Sequence, residues 1–325
     1  MARSDLIISL AKAANSGDKK SAQKITEALI AEEKEKKHNA LARRLLDTLS
    51  GYQNGHNGLT HWNNLDSRDS EVSQLLHHLE PIRNLDSLIL NSEVERNVRD
   101  FIEEQNRSDV LRSYNLEPRN RVLLEGPPGN GKTTLAETIA TELYLPLFTV
   151  RYEGLIGSYL GETSTRLNKL FEFIRTQKCV LFIDEFDTIG KERGDQYETG
   201  EIKRVVSSLL LQIDRLPSYV IVVVASNHSE LLDRAVWRRF QLKLTLSKPT
   251  RMQLNLWFED LLSDVDESAG YTPETLSKYL YGLSFAEVED FWTDVKRGWV
   301  LGRPTVSLKK VMSKKLSYWK KIKSK

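Results

Sequence analysis

Residues 122–133 read VLLEGPPGNGKT, and the fold follows from them. An apolar run, Val122 to Leu124, passes straight into a glycine- and proline-rich loop that closes on Lys132 and Thr133. Leu135, Ile139 and Leu143 then recur at helical spacing. Strand, glycine loop and helix in that order make a phosphate loop. The glycines let backbone N–H groups turn inward onto phosphate oxygens, and the helix adds its positive end. On this reading Gly126, Pro127, Pro128, Gly129, Asn130, Gly131, Lys132, Thr133 and Thr134 cradle the nucleotide. Lys132 reaches the outer phosphates, and the Thr133 hydroxyl is a ligand for Mg2+.

Outward from the loop, further apolar strands are readable at Leu147–Val150, Val180–Ile183 and Val220–Ala225, with helical stretches between them. That alternation predicts a parallel sheet between helices, with ligands beyond the carboxyl ends of the strands. Two acids, Asp184 and Glu185, end the strand Val180–Ile183, 52 residues after Lys132. Alone they are also what a simple strand terminus looks like. On a second strand of the same sheet, Asp184 is expected to hold Mg2+ and nucleotide, and Glu185 to activate a water as general base. Asn227, after Val220–Ala225, either caps the next segment or positions that water. Arg238 and Arg239, in Leu232–Phe240, are either surface charge or an arginine finger that stabilises charge on a transferring phosphoryl group.

The chain resembles the AAA ATPase family over roughly residues 85–300. GPPGNGKT resembles its Walker A, LFIDEFD its Walker B, ASN its sensor 1, and LDRAVWRRF its second region of homology. Arg238 and Arg239 without an intervening Pro-Gly resemble the branch with ESCRT-disassembly and microtubule-severing ATPases. The resemblance implies ATP and Mg2+ as cofactors and a homo-hexameric ring in which arginines of one subunit reach the nucleotide of the next. Ser158-Tyr159-Leu160-Gly161-Glu162 is similar to the family's first pore loop. There Tyr159 and Leu160 line a channel and grip a protein substrate; the other reading of Tyr159 is a packing aromatic. Where many relatives carry a sensor 2 arginine or Gly-Ala-Asp, this chain has Gly282-Leu283-Ser284-Phe285-Ala286-Glu287. The resemblance therefore assigns no lid contact to the nucleotide.

The flanks are expected as a short helical N-terminal module over 1–50 and a linker over 51–84. A large α/β domain of the P-loop NTPase type follows over 85–249, then a small helical lid over 250–306 and a basic tail over 307–325. His56 and His61 lie in the linker without cysteine or carboxylate company and read as loop residues rather than metal ligands. MARSDLIISLAKA, EALIAEEKEKKHNALARRL and the short length are also similar to bacterial AAA proteins encoded beside a subtilisin-like serine protease in anti-phage defence operons. That resemblance implies such a protease as partner, and no protease triad is evident in this chain.

Composition narrows the function classes. The net charge of +2 argues against a surface committed to nucleic acid. The tail from Leu308 carries many lysines and no acid, and reads as a lysine-coated helix packed on the lid, with an anionic partner as the alternative. A single cysteine, Cys179, excludes an internal disulfide and fits a reducing compartment. No stretch reaches the ~18 apolar residues of a membrane helix, so a cytoplasmic protein is expected. The functional expectation is an ATP-driven remodeller that pulls polypeptide through a pore. The alternatives are an ATP-dependent assembly switch that gates a partner and a nucleic-acid remodelling motor.

Overall fold

Valine- and leucine-rich runs bounded by Gly, Pro and Asn become strands, and apolar residues at helical spacing supply their cover. The computed structural model describes residues 25, 26, 28, 70–151, 160–187, 198–263, 265 and 267–323. The chain falls into two compact units, Met1–Ser70 and Glu71–Lys325. Within the first, Ile25, Thr26 and Ala28 are helical; the rest of the 1–50 module, and the stretch with His56 and His61, lie outside the described residues.

Helix α1 (Ser70–Leu75) and strand β1 (Leu76–Leu79) occupy the end of the stretch expected as linker. The Gly/Asn/His composition upstream hid them, yet Val72, Leu75 and Leu76 are buried. Helices α2 (Ser92–Asn106) and α3 (Ser108–Ser113) then lead to β2 (Arg121–Glu125), α4 (Lys132–Leu143) and β3 (Leu147–Val150). The α/β pattern continues with α5 (Leu160–Arg175), β4 (Val180–Ile183), α6 (Glu198–Asp214), β5 (Ile221–Ser226), the short α7 (Arg234–Trp237) and β6 (Leu242–Thr245).

The strands form one sheet in the order β1-β3-β4-β5-β2-β6. All neighbours are parallel except β1, which runs antiparallel to β3 at the edge. This is the α/β P-loop NTPase fold, with one antiparallel strand added. Both faces of the central strands are buried, which explains their unbroken apolar runs. Val122, Leu124, Phe182 and Val223 share a core with Phe101 of α2 and Leu135 and Ile139 of α4. Leu123, Leu181, Val222 and Val224 alternate with these along the strands and are equally buried. Each such side chain contributes about 1.5–3 kcal/mol of burial.

Chain order places three strand ends together. After β2 the chain crosses to β3, and β4 and β5 fill the space between, so β4, β5 and β2 are adjacent. Glu125 pairs with Ser226, and Ile183 with Val224. The residues just beyond these ends are Gly126, Asp184 and Asn227.

Beyond Pro249 a second core forms from α8 (Arg251–Ser263), α9 (Pro273–Leu280), α10 (Phe285–Gly302) and α11 (Leu308–Lys323). Thr272 caps α9, with Pro273 at the first helical position. Ser284 and Glu287 form a reciprocal capping box at the start of α10. Residues 307–325, set apart in the sequence as a tail, contribute α11, whose Leu308, Met312 and Leu316 are buried in this lid core. The lid therefore extends through α11.

Candidate nucleotide site

The phosphate loop needs its glycines for identifiable reasons. Gly126 has φ +136°, and a Cβ there would lie 2.1 Å from the Leu246 carbonyl oxygen. Gly131, at φ +84°, is the residue from which α4 springs. Asn130 is buried and braces the loop from inside, donating from Nδ2 to the Pro127 carbonyl at 3.1 Å. Lys132 folds back over the loop, and its Nζ donates to the carbonyls of Gly126 (2.7 Å) and Pro127 (3.0 Å). Burial lowers the affinity of this amine for its proton, while Asp184 and Asp187 act in the opposite sense.

Thr133, in the first turn of α4, meets Asp184 just beyond β4, where the Thr133 hydroxyl donates to Asp184 Oδ2 at 3.0 Å. The other Asp184 oxygen accepts the Glu185 N–H at 2.8 Å. Glu185 has φ +46°, in the left-handed region that a glutamate seldom adopts. The strand thus turns sharply after Asp184, leaving the Glu185 side chain exposed. A hydroxyl and a carboxylate oxygen side by side are the hard oxygen donors that a divalent cation takes when phosphates complete its shell.

Asp187, quoted in the sequence without a role, binds two strand ends together. It is buried, and its Oδ1 accepts from the Ser226 hydroxyl and the Asn227 N–H, both at 3.0 Å. Phe186 N–H donates to the Ala225 carbonyl at 2.9 Å. These contacts hold the turn after β4 against the end of β5, and so fix Asn227 beside Asp184 and Glu185.

A cavity of about 420 Å3 joins these groups; Lys132, Thr133, Thr134, Asp184, Glu185 and Asn227 all line it. Its far wall was not legible in the sequence. Leu88, Ile89 and Leu90 enter from the segment before α2, and Trp257, Phe285, Ala286 and Glu289 from the lid. The lid also touches the phosphate loop directly, since Ala286 N–H donates to the Gly129 carbonyl at 2.9 Å. Gly129 has φ +74°, and a Cβ there would meet Ser284 Oγ at 2.9 Å and Ala286 Cβ at 3.0 Å. The stretch that departs from the sensor 2 pattern thus sits against the loop through its backbone.

Arg238 and Arg239 do not line the cavity. Arg239 Nε donates to Asp214 Oδ2 at 2.8 Å, and Asp214 Oδ1 takes Arg121 at 2.7 Å. Arg121 is the first residue of β2, so this cluster lies at the opposite end of the strand from the phosphate loop. Arg238 is exposed. Tyr159 lies outside the described residues, and of Leu160 the backbone is described, as the first residue of α5.

The comparisons agree with this geometry. Residues 122–248 match the model of the ATPase family associated with various cellular activities (AAA). A protein named as an uncharacterized AAA family ATPase of Sinorhizobium fredii is 36% identical over 304 residues, 93% of this chain and 91% of that one. The chain belongs to the AAA ATPase family. A 26S proteasome regulatory subunit homolog of Methanothermobacter marburgensis is 34% identical over 56% of this chain and 50% of its own. The peroxisomal ATPase pex6 of Schizosaccharomyces pombe is 39% identical over 43% of this chain and 16% of its own. As an AAA ATPase the chain binds and hydrolyses ATP. Among the described residues no helix is long and apolar enough to cross a membrane.

Proposed function

We propose that this AAA ATPase works as a hexameric ring that remodels or unfolds a protein substrate by drawing it through a central pore. The observation that carries the reading is the arrangement of charge. Lys132, Asp184 and Glu185 meet in one cavity, whereas the arginine pair lies at the other end of the sheet. A group that must touch the nucleotide yet sits outside its own subunit's cavity is suited to serve a neighbour.

In this mechanism the loop amides and Lys132 hold the phosphates. Thr133 and Asp184 hold Mg2+, which when bound offsets charge on the phosphate oxygens. Glu185 accepts a proton from a water oriented with the help of Asn227. The water oxygen bonds to the terminal phosphorus, and the bond from that phosphorus to the bridging oxygen breaks. Arg238 and Arg239 of the adjacent subunit stabilise the charge that develops. The lid rests on the phosphate loop through the Ala286–Gly129 hydrogen bond. Relatives named for the proteasome and the peroxisome support a protein as substrate. Residues 1–50 are read as the docking element for a partner. A subtilisin-like serine protease in cytoplasmic anti-phage defence is the partner that their resemblance implies.

Threading and gating separate at Tyr159. With a fluorescent protein carrying an unstructured tag as substrate, Tyr159→Ala is expected to keep ATP turnover and to lose ATP-driven unfolding. Unfolding at the wild-type rate in the variant would remove Tyr159 from the grip, and ATP turnover with no unfolding by the wild type would replace threading with the gating switch.

A further inference from the structure

The near-neutral charge of the chain is the sum of two opposed parts. Residues 296–325 hold 11 of the 47 Lys and Arg and none of the 45 Asp and Glu. The first 295 residues therefore carry 36 cations against 45 anions, a net charge of −9. Whole-chain charge, which argued against nucleic acid, conceals this segregation.

The structure turns the cations outward. Burial of Leu308, Met312 and Leu316 in the lid core orients α11 so that Lys309, Lys310 and Lys314 are exposed. Ser313, Ser317 and Tyr318 share the exposed side. The stem of Lys309 packs against Gly270, where a Cβ would lie 2.4 Å from its Cγ; a stem held this way carries its ammonium out to water. The end of α10 adds Lys296, Arg297 and Arg303. Lys296 lies 5.4 Å from the ring centroid of Trp292, and Arg303 lies 3.8 Å from that of Trp299. Aromatic faces hold these cations in place without neutralising them. Among the described residues, the ion pair formed in this patch is Lys315 with Asp294, at 2.6 Å.

Three kinds of anionic surface compete for such a patch. A second copy of the chain is a poor complement. Several of its described acids already face arginines of their own domain, as Asp86 and Glu95 face Arg99, Glu104 faces Arg119, and Asp214 faces Arg121 and Arg239. A membrane surface suits a basic helix that has an apolar side left to insert. That side of α11 is already buried in the lid, and the exposed tip Val300-Leu301 is small beside what anchoring uses. The phosphate backbone of a nucleic acid needs no apolar side. It takes lysine ammonium and serine hydroxyl groups, and its charge density repays an unneutralised array through counterion release.

We infer that the α10–α11 end of the lid binds the phosphate backbone of nucleic acid without sequence preference. None of its cations lines the nucleotide cavity, so binding and ATP chemistry are separable by mutation. The test titrates the full chain against a labelled mixed-sequence DNA duplex of about 30 base pairs, by fluorescence anisotropy, over a series of salt concentrations. Binding is expected at low salt and should weaken steeply as salt rises. Lys309→Gln, Lys310→Gln and Lys314→Gln together should flatten the slope of log K against log salt by about three, roughly one per lysine. ATP turnover without DNA should be unchanged. Arg297→Gln with Arg303→Gln should flatten the slope by about two from the neighbouring helix, guarding against a defect local to α11. No binding at low salt, or equal slopes in wild type and both variants, overturns the inference. So does capture by phosphatidylserine vesicles without DNA binding, or a change in ring assembly as the sole effect of the lysine variant.

Discussion

The carboxyl and amino ends of the central strands handle charge in different ways. At the carboxyl ends, charged groups lean on neutral partners: Lys132 on two carbonyls, Asp184 on the Thr133 hydroxyl and the Glu185 N–H. At the amino end of β2, Arg121 and Arg239 lean on the carboxylate of Asp214. Neutral partners hold position while conserving charge for a ligand. An opposite charge holds position more firmly but cancels part of what it holds. The first arrangement suits a site that receives a polyanion and a cation. The second suits a fixed surface from which an arginine is presented.

The largest effect expected from breaking the first arrangement is at Glu185. Glu185→Gln keeps the size of the side chain and removes its capacity to take a proton. ATP turnover should fall by about 10²–10⁴-fold, the worth of a positioned general base. Nucleotide binding, followed by calorimetry, should persist, and the protein should accumulate as an ATP-bound assembly. Turnover near wild type would remove Glu185 from the chemistry.

A smaller loss, about 10²–10³-fold, is expected on removing the electrostatic donor from the arginine pair. Arg238→Ala and Arg239→Ala should each leave the nucleotide affinity of their own subunit intact. Mixing either with Lys132→Ala should restore part of the activity, because an intact arginine then faces an intact phosphate loop. Asp214→Asn sharpens the assignment. Its carboxylate is about a third exposed, at 31%, so losing it should cost on the order of 1 kcal/mol of stability, as for a partly screened pair. If Arg239 is the finger, this variant should also lower turnover in the ring. If Arg238 is, turnover should stay near wild type while Arg238→Ala alone is impaired.

How legible each end was follows from the kind of contact it uses. The phosphate loop was readable because Gly126, Gly129 and Gly131 occupy positive φ, a demand that glycine meets most easily. Asp184 and Glu185, which alone also fit a simple strand terminus, were readable because they end an apolar strand 52 residues after Lys132 in the same strand-helix pattern. The lid wall was not, because Trp257, Phe285 and Glu289 come from two helices and form no motif along the chain. The contact of Ala286 with Gly129 uses a backbone N–H, which any residue but proline supplies, so its side chain carried no signal. Asp214 lies 93 residues from Arg121 and 25 from Arg239, and a salt bridge at such separations leaves no local pattern. Strand β1 was hidden because Leu76-His77-His78-Leu79 does not alternate as a half-buried strand should.

The smallest effect is expected within the strands themselves, at Cys179, immediately before β4. It is fully buried, and burial alone pushes its thiol up to about 12. Only the thiolate reacts readily with maleimides, so the native protein should resist labelling near neutral pH and label once unfolded. A pH dependence follows from the same shift. A thiol in the unfolded chain loses its proton near pH 8.5, whereas the folded one keeps it until about 12. Between those values the unfolded state binds one proton fewer, so this residue lowers stability as pH rises, by at most about 1.4 kcal/mol per pH unit. Below that window it contributes no slope. Cys179→Ala removes the titrating group, so denaturation midpoints of the variant should fall less steeply with pH between about 9 and 11 than those of wild type. Parallel pH profiles, or rapid labelling of the native protein at neutral pH, would show that the strand opens to solvent at Cys179. The rigid placement of Asp184 and Glu185 at the far end of that strand would then need another support.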